Sequence, residues 1–284
     1  MTTIYNSSLK RRKNVKNLRK VKAEWLCFLL LVSVISGISC GNEAPQNAGR
    51  GEVTDKQQVT ESISQADELY RQREDLSKLR QGITLLRQAR VVDYANYEIA
   101  WKLAKFDYYL GSHTDNDRER DDAFREGIDA GKTAVQIAAD KPEGHFWLGA
   151  NYGGTAEHSI VAGLATVEDI KREMEAVLKI DEGYQSGSAY LGLGQVYLQA
   201  PKILGGDTQK ATSYLEKGLK FGPNNALLRA RLAEAYEAAN RDADARREID
   251  FLLKMTPHPD YVPEHKEAVD EARKLLKKMD ENRL

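Results

Sequence analysis

The chain has 284 residues, 42 of them basic and 43 acidic, with 41% hydrophobic and 30% charged positions. That balance belongs to a folded soluble protein and excludes a disordered chain, while 21 glycines and 7 prolines are too few for a fibrous or linker-rich one. The two cysteines, Cys27 and Cys40, both fall in the first forty residues, so the rest has no disulfide, thiol nucleophile or cysteine metal site.

Residues 1–24 carry Lys10, Arg11, Arg12, Lys13, Lys16, Arg19, Lys20 and Lys22 against one acid, Glu24. The next fourteen, WLCFLLLVSVISGI (25–38), are uncharged. A helix needs about 20 apolar residues to cross a bilayer core of ~30 Å, so this run is too short to span. A basic start, a short apolar core and small residues behind it describe a secretory signal peptide over 1–39. An anchor that stays attached is the alternative. The exit GISCGN (37–42) resembles the lipobox of bacterial lipoproteins, with Cys40 the lipidated mature N-terminus and Gly37 where that pattern prefers leucine. Several acyl chains at ~0.8 kcal/mol per buried CH2 make a durable anchor. The expected location is the bacterial cell envelope, lipid-anchored and facing the periplasm; ordinary cleavage leaving an unmodified Cys40 is the alternative.

The leader holds eight of the 42 basic residues and one of the 43 acidic ones, so the remainder has 34 against 42, a formal net charge of −8. Such a surface repels phosphate backbones, so no nucleic-acid partner is expected. Residues 40–62 lack apolar periodicity and read as a flexible tether. From 63 to 284 helical spacing dominates, and no alternating strand pattern appears.

The repeat signal is clearest late in the chain. Leu193, Gly194 and Tyr197 have the spacing of a tetratricopeptide first helix, and Ala211, Leu215, Gly218 and Pro223 that of its second helix. Leu232, Ala233 and Tyr236, then Ala245, Ile249, Leu252 and Pro257, repeat the pattern. Ala211 to Ala245 and Pro223 to Pro257 are each 34 residues, the tetratricopeptide period. Leu148, Gly149 and Tyr152 take the first-helix spacing again, as do Trp101, Ala104 and Tyr108, with Gly82, Leu86 and Ala89 a degenerate second helix before them. Charged GSHTDNDRERDD (111–122) reads as a loop or helix start, and Gly205-Gly206-Asp207 as a turn with Asp207 the N-cap of the next helix. The terminal stretch from Glu264 is an amphipathic capping helix. The expected fold is therefore all-α: a tetratricopeptide-like superhelix of antiparallel helix pairs with a C-terminal cap.

Reactive constellations are missing from this pattern. GIDAGKT (127–133) has three residues between its glycines where a phosphate loop needs four. The histidines His113, His145, His158, His258 and His265 form no HExxH or Cys/His cluster, so no metal and no cofactor are expected. No GxSxG elbow occurs, and Glu234 with Glu237 reads as a solvated helical pair. A non-enzymatic protein follows, with an enzyme of converged residues as the rival from another class.

First helices of tetratricopeptide arrays line a concave face. Here that face would present Phe106, Tyr109, Phe146, Gly153, Leu191, Gln195 and Leu198, with binding expected around Phe146, Trp147, Asn151 and Tyr152. An exposed wall so apolar suits a protein partner or a hydrophobic small molecule. The alternative is that neighbouring helices cover these side chains as plain core.

The run PEGHFWLGANYG, the lengthened helix VEDIKREMEAVLKIDEGY and AYLGLGQVYLQAPKILGGDTQKATSYLEKGL together resemble TatT, the T component associated with TRAP transporters, over 65–257. Its most distinctive element is the insertion with Pro201, Leu204, Gly205, Gly206 and Asp207. A weaker similarity, through GHFWLGANYGGTAEH, runs to eukaryotic regulator-of-microtubule-dynamics proteins. The TatT resemblance implies a periplasmic lipoprotein assembling as a homotrimer, partnered by a TRAP solute-binding protein and passing hydrophobic ligands. A general envelope scaffold without a transporter link remains the alternative. The lipid reading is checked by mass spectrometry of the mature N-terminus: Cys40 should carry acyl chains, and Cys40→Ser should move the protein from the membrane to the soluble fraction.

Overall fold

The computed structural model describes residues 48–158 and 160–281; the leader and Cys40 lie outside them. The described residues form eleven α-helices: α1 (Ala48–Arg71), α2 (Leu76–Val92), α3 (Tyr97–His113), α4 (Asp117–Ile137), α5 (Pro142–His158), α6 (Ile160–Ile180), α7 (Ser188–Gln199), α8 (Thr208–Phe221), α9 (Ala226–Ala238), α10 (Asp242–Lys254) and α11 (Val262–Glu281). Short 3-10 turns, Lys202–Leu204 and Pro259–Tyr261, precede α8 and α11. There is no strand among the described residues, and no helix there is long and apolar enough to cross a membrane.

Local chemistry sets the helix starts. Asp75, Asn96, Asn116, Asp207 and Asn225 each accept a hydrogen bond from a first-turn N–H that has no partner within its own helix. Pro142 opens α5, where its missing N–H costs nothing. Asp207 caps α8 by accepting from the N–H groups of Gln209 and Lys210 at 2.9 and 3.0 Å. Just before it Gly205 takes a φ of +86°, a left-handed conformation that favours glycine.

Consecutive helices pair, and each even-numbered helix also packs on the next odd-numbered one, the stacking of a tetratricopeptide-like repeat. The odd helices form an inner row through α3–α5, α7–α9 and α9–α11 contacts. Small residues allow the approach. A Cβ on Gly131 of α4 would come within 2.9 Å of Leu148 Cα on α5, and one on Gly194 of α7 within 2.5 Å of Leu215 on α8. Ala211, Leu215, Leu232, Ala233, Ala245, Ile249 and Leu252 are all buried, so the sequence landmarks of the repeat are its core. On the outside, Arg80, Arg87 and Arg90 of α2 pair with Glu119, Glu126 and Asp129 of α4. The constant offset of 39 residues means that these two outer helices run in register. Partly exposed pairs of this kind contribute about 0–1 kcal/mol each.

Helix α1 changes one boundary. Residues 48–62, expected to be part of a flexible tether, are helical, and Val59 is buried in the first core cluster. Apart from Ala48, Val53 and Val59 the stretch is glycine and polar residues, so composition hid a helix that is held by α2.

Asp107 of α3 is fully buried, and neither carboxyl oxygen has a hydrogen-bond partner among the described residues. Burial pushes its pKa well above the ordinary value, and Glu126 adds to the rise while Arg87 and Arg90 oppose it. An acid whose folded pKa is raised contributes full stability below its unfolded value of 3.8 and loses it as pH rises from there. Asp107→Asn should therefore raise stability by about 1–3 kcal/mol at pH 7.5 and change it little near pH 3.5, measured by urea unfolding at both.

Candidate functional site

The inner row is where a repeat of this kind would hold a ligand, and the structure gives each expected residue a place. Five of the eight assigned to binding are enclosed. Phe106 is 1% exposed and stacks on Tyr70 with ring centroids 4.5 Å apart. Tyr109, Trp147 and Tyr152 are buried, and Asn151 is completely so. The Asn151 amide donates to the carbonyls of Ala104 and Trp147 at 2.8 and 2.7 Å, tying α5 to α3. Trp147 meets Tyr108 at 5.8 Å and Phe146 edge-on at 4.9 Å. These side chains are core, and they offer no wall to a partner or a hydrophobic ligand.

The other three are half-buried. Phe146 packs edge-on against Tyr184 at 5.4 Å, Leu191 leans on the α8–α10 core, and Gln195 donates to Glu157 at 2.7 Å. Gly153 has open space where a Cβ would stand, and Leu198 packs beside Leu191 against the same core. Burial of these five matches the alternative in which neighbouring helices cover them: Phe106 lies against Tyr70 of α1 and Gly82 of α2, Trp147 and Asn151 against α3, and Tyr152 in a cluster with Ile170 and Met174 of α6.

The segment with phosphate-loop character lies inside α4, where Gly127, Ala130, Gly131, Thr133 and Ala134 are buried against neighbouring helices. His145 is held between the Glu173 carboxylate at 2.6 Å and the Ala139 carbonyl at 3.1 Å, as a structural tie between α5 and α6. His258 accepts from the Asp260 N–H in the turn before α11. No group of three potential metal ligands occurs among the described residues. Glu234 pairs with Arg231 and Glu237 with Lys278.

What sequence reasoning missed is how the inner row ends. Arg73, in the connection between α1 and α2, reaches α11, 191 residues further on. Its guanidinium donates to Glu264 at 2.7 Å and to the Asp260 carbonyl at 2.8 Å, and it sits over the rings of Tyr70 and Tyr109. Although 4% exposed, Arg73 keeps its charge: burial opposes it most, but the Glu264 hydrogen bond together with the charges of Tyr70, Glu264 and Tyr109 outweighs that opposition. His113 at the end of α3 meets Glu267 of α11 at 2.6 Å, and Arg231 of α9 meets Glu271 at 2.9 Å. Thus Glu264, Glu267 and Glu271, spaced as one helical face, turn α11 inward. Lys105 lies nearby on α3, over Tyr70 at 4.2 Å and Trp147 at 5.8 Å, and burial, reinforced by Arg73, brings its pKa down to about 8. The acidic row of α11 is legible in the sequence, whereas its basic partners are not.

Two family models match this chain: regulator of microtubule dynamics protein 1-3 over residues 62–194, and tetratricopeptide repeat over 202–262. Among solved structures it is similar to TTC0263, a thermophilic tetratricopeptide protein of Thermus thermophilus, at 19% identity. That match covers 75% of this chain and 98% of the other, with a TM-score of 0.57. It is similar also to PilF of Pseudomonas aeruginosa, at 16% identity over 81% of this chain and 93% of the other, with a TM-score of 0.52. Both likenesses concern the fold alone. No curated protein matches the sequence. The protein is a tetratricopeptide-like helical repeat protein, of a class that typically serves as a non-enzymatic scaffold for protein–protein interaction.

Because Trp147 is core, Trp147→Ala should cost about 3–5 kcal/mol of stability. Thermal and urea unfolding would read that loss, and any fall in partner binding should track the folded fraction.

Proposed function

We propose that this is a non-enzymatic, lipid-anchored protein of the bacterial envelope whose superhelix holds a protein partner in the periplasm. The single observation behind this reading is the joining of a tetratricopeptide-like domain to a lipoprotein-type leader ending at Cys40. A tether at one end and a repeat surface at the other suit a docking platform close to a membrane. The preferred partner is the solute-binding protein of a TRAP transporter, and the assembly a homotrimer; both rest on the TatT resemblance of 65–257. Burial of Phe106, Tyr109, Trp147, Asn151 and Tyr152 argues against a hydrophobic ligand held along the inner row of one subunit.

Affinity capture from detergent-solubilised envelopes tests the reading. A TRAP solute-binding protein should be recovered with the wild-type chain in amounts approaching one to one. Recovery of envelope proteins without any solute-binding protein would leave a general scaffold, and recovery of the chain only from cytosol would overturn the envelope reading itself.

A further inference from the structure

The polar seam between α11 and the N-terminal helices has a character that the rest of the packing lacks. Buried apolar residues of α11, namely Ala268, Ala272 and Met279, belong to the cluster built by α8 to α10. The N-terminal cluster runs from Val59 to Trp147 and contains no residue of α11. Where α11 meets α1–α3, the described contacts are charged or hydrogen-bonded: Arg73 with Glu264 and the Asp260 carbonyl, His113 with Glu267, and Lys266 with Glu74 at 3.9 Å. Because the two apolar clusters share no residue across it, this seam can part while both cores stay packed.

The imidazole of His113 adds a chemical condition. Its Nδ1 lies 2.7 Å from the Tyr109 carbonyl and its Nε2 2.6 Å from the Glu267 carboxylate. Both partners are acceptors, so both ring nitrogens must donate, which only the imidazolium can do. The neutral ring has to give up one bond.

We infer that α11 is a latch, which closes the superhelix on itself through Glu264 and Glu267 and releases when His113 loses its proton. The groups acting on His113 are Tyr109 on its own helix, whose ring stacks on it at 3.8 Å, and Glu264 and Glu267 on α11. Around them stand Arg73 and Glu74 of the α1–α2 connection, which act on Tyr109, Lys266 of α11, paired with Glu74, and Arg231 of α9, paired with Glu271. Burial of the ring disfavours its charge most, but the hydrogen bonds to Glu267 and the Tyr109 carbonyl, with the charges of Glu267 and Glu264, together raise its pKa above the ordinary 6.5. The direction follows from that rise. The contribution of His113 to closure is complete below the open-state value near 6.5 and is lost as pH climbs through the closed-state value. Mild acid closes the inner row and mild alkali opens it. This holds whatever partner the protein binds.

Spin labels on either side of the seam give the test. Gln72→Cys and Asp270→Cys are placed in the full chain, with Cys27 and Cys40 replaced by serine, in detergent micelles. Double electron–electron resonance should return one short distance at pH 6.0. At pH 8.5 a longer distance should appear, with its population raised about threefold or more. His113→Gln should show the longer distance at both pH values, while His265→Gln, whose ring bonds the Met255 carbonyl, keeps the wild-type response. If His113→Gln loses its helical circular dichroism, Glu267→Gln carries the same expectation. One unchanging distance at both pH values, a His113→Gln chain that matches wild type, or a response abolished by His265→Gln would overturn the latch.

Discussion

Close approach of helix backbones is the constraint on which this molecule depends. Neighbouring helices come together until one backbone meets the other's side chain, as Gly131 meets Leu148 and Gly194 meets Leu215. Interiors are packed nearly as densely as organic crystals, so a methyl group at such a point has nowhere to go. With the gap closed, the large residues of the repeat, Leu148, Leu193, Leu215, Leu232 and Ile249, are excluded from water. Each buried side chain of this size contributes about 1.5–3 kcal/mol, and their number offsets the chain entropy lost along a long row of helices.

The same tightness decides what the inner row offers. Phe106 is covered by α1 and α2, Trp147 and Asn151 lie where α5 meets α3, and the amide of Asn151 bridges the backbones of those two helices rather than waiting for a ligand. Such partners offset the cost of burying the amide nitrogen, an offset that the fully buried Asp107 lacks. What is left toward the middle is a charged layer: Arg73, Lys105, His113 and Arg231 face the carboxylates of α11 and of α1. The N-terminal and C-terminal halves each have an apolar core, and among the described residues ionic contacts join them where α11 returns to α3.

The helical class, the 34-residue period and the caps were legible because they are local. Alanine at 211 and 245 and proline at 223 and 257 act within their own repeat, and Asp207 reads the N–H groups two and three residues on. The first helix was less legible, since residues 48–62 have almost no apolar side chain to mark a face. Of the inner-row residues, Phe106, Tyr109, Trp147, Asn151 and Tyr152 are buried, and Phe146, Leu191 and Gln195 are half-buried. Periodicity reports the direction in which Phe106 or Trp147 points and is silent on how near the facing helix stands. His145 bonds to Glu173 and Ala139, which make it a tie rather than a reactive group.

The sequence by itself determined what neighbours along the chain can decide: a basic and then apolar N-terminal stretch with Cys40 behind it, helical spacing with the Asp207 cap, and a repeat that must stack to bury its faces. Only the tertiary structure decided which of those faces stay open, because that depends on distances between groups far apart in the chain. Arg73 and Glu264 are 191 residues apart, and His113 and Glu267 are 154 apart. No periodicity of 3.6 or of 34 carries such a separation. Small rotations between successive helix pairs accumulate along the row until α11 comes to lie against the α1–α2 connection.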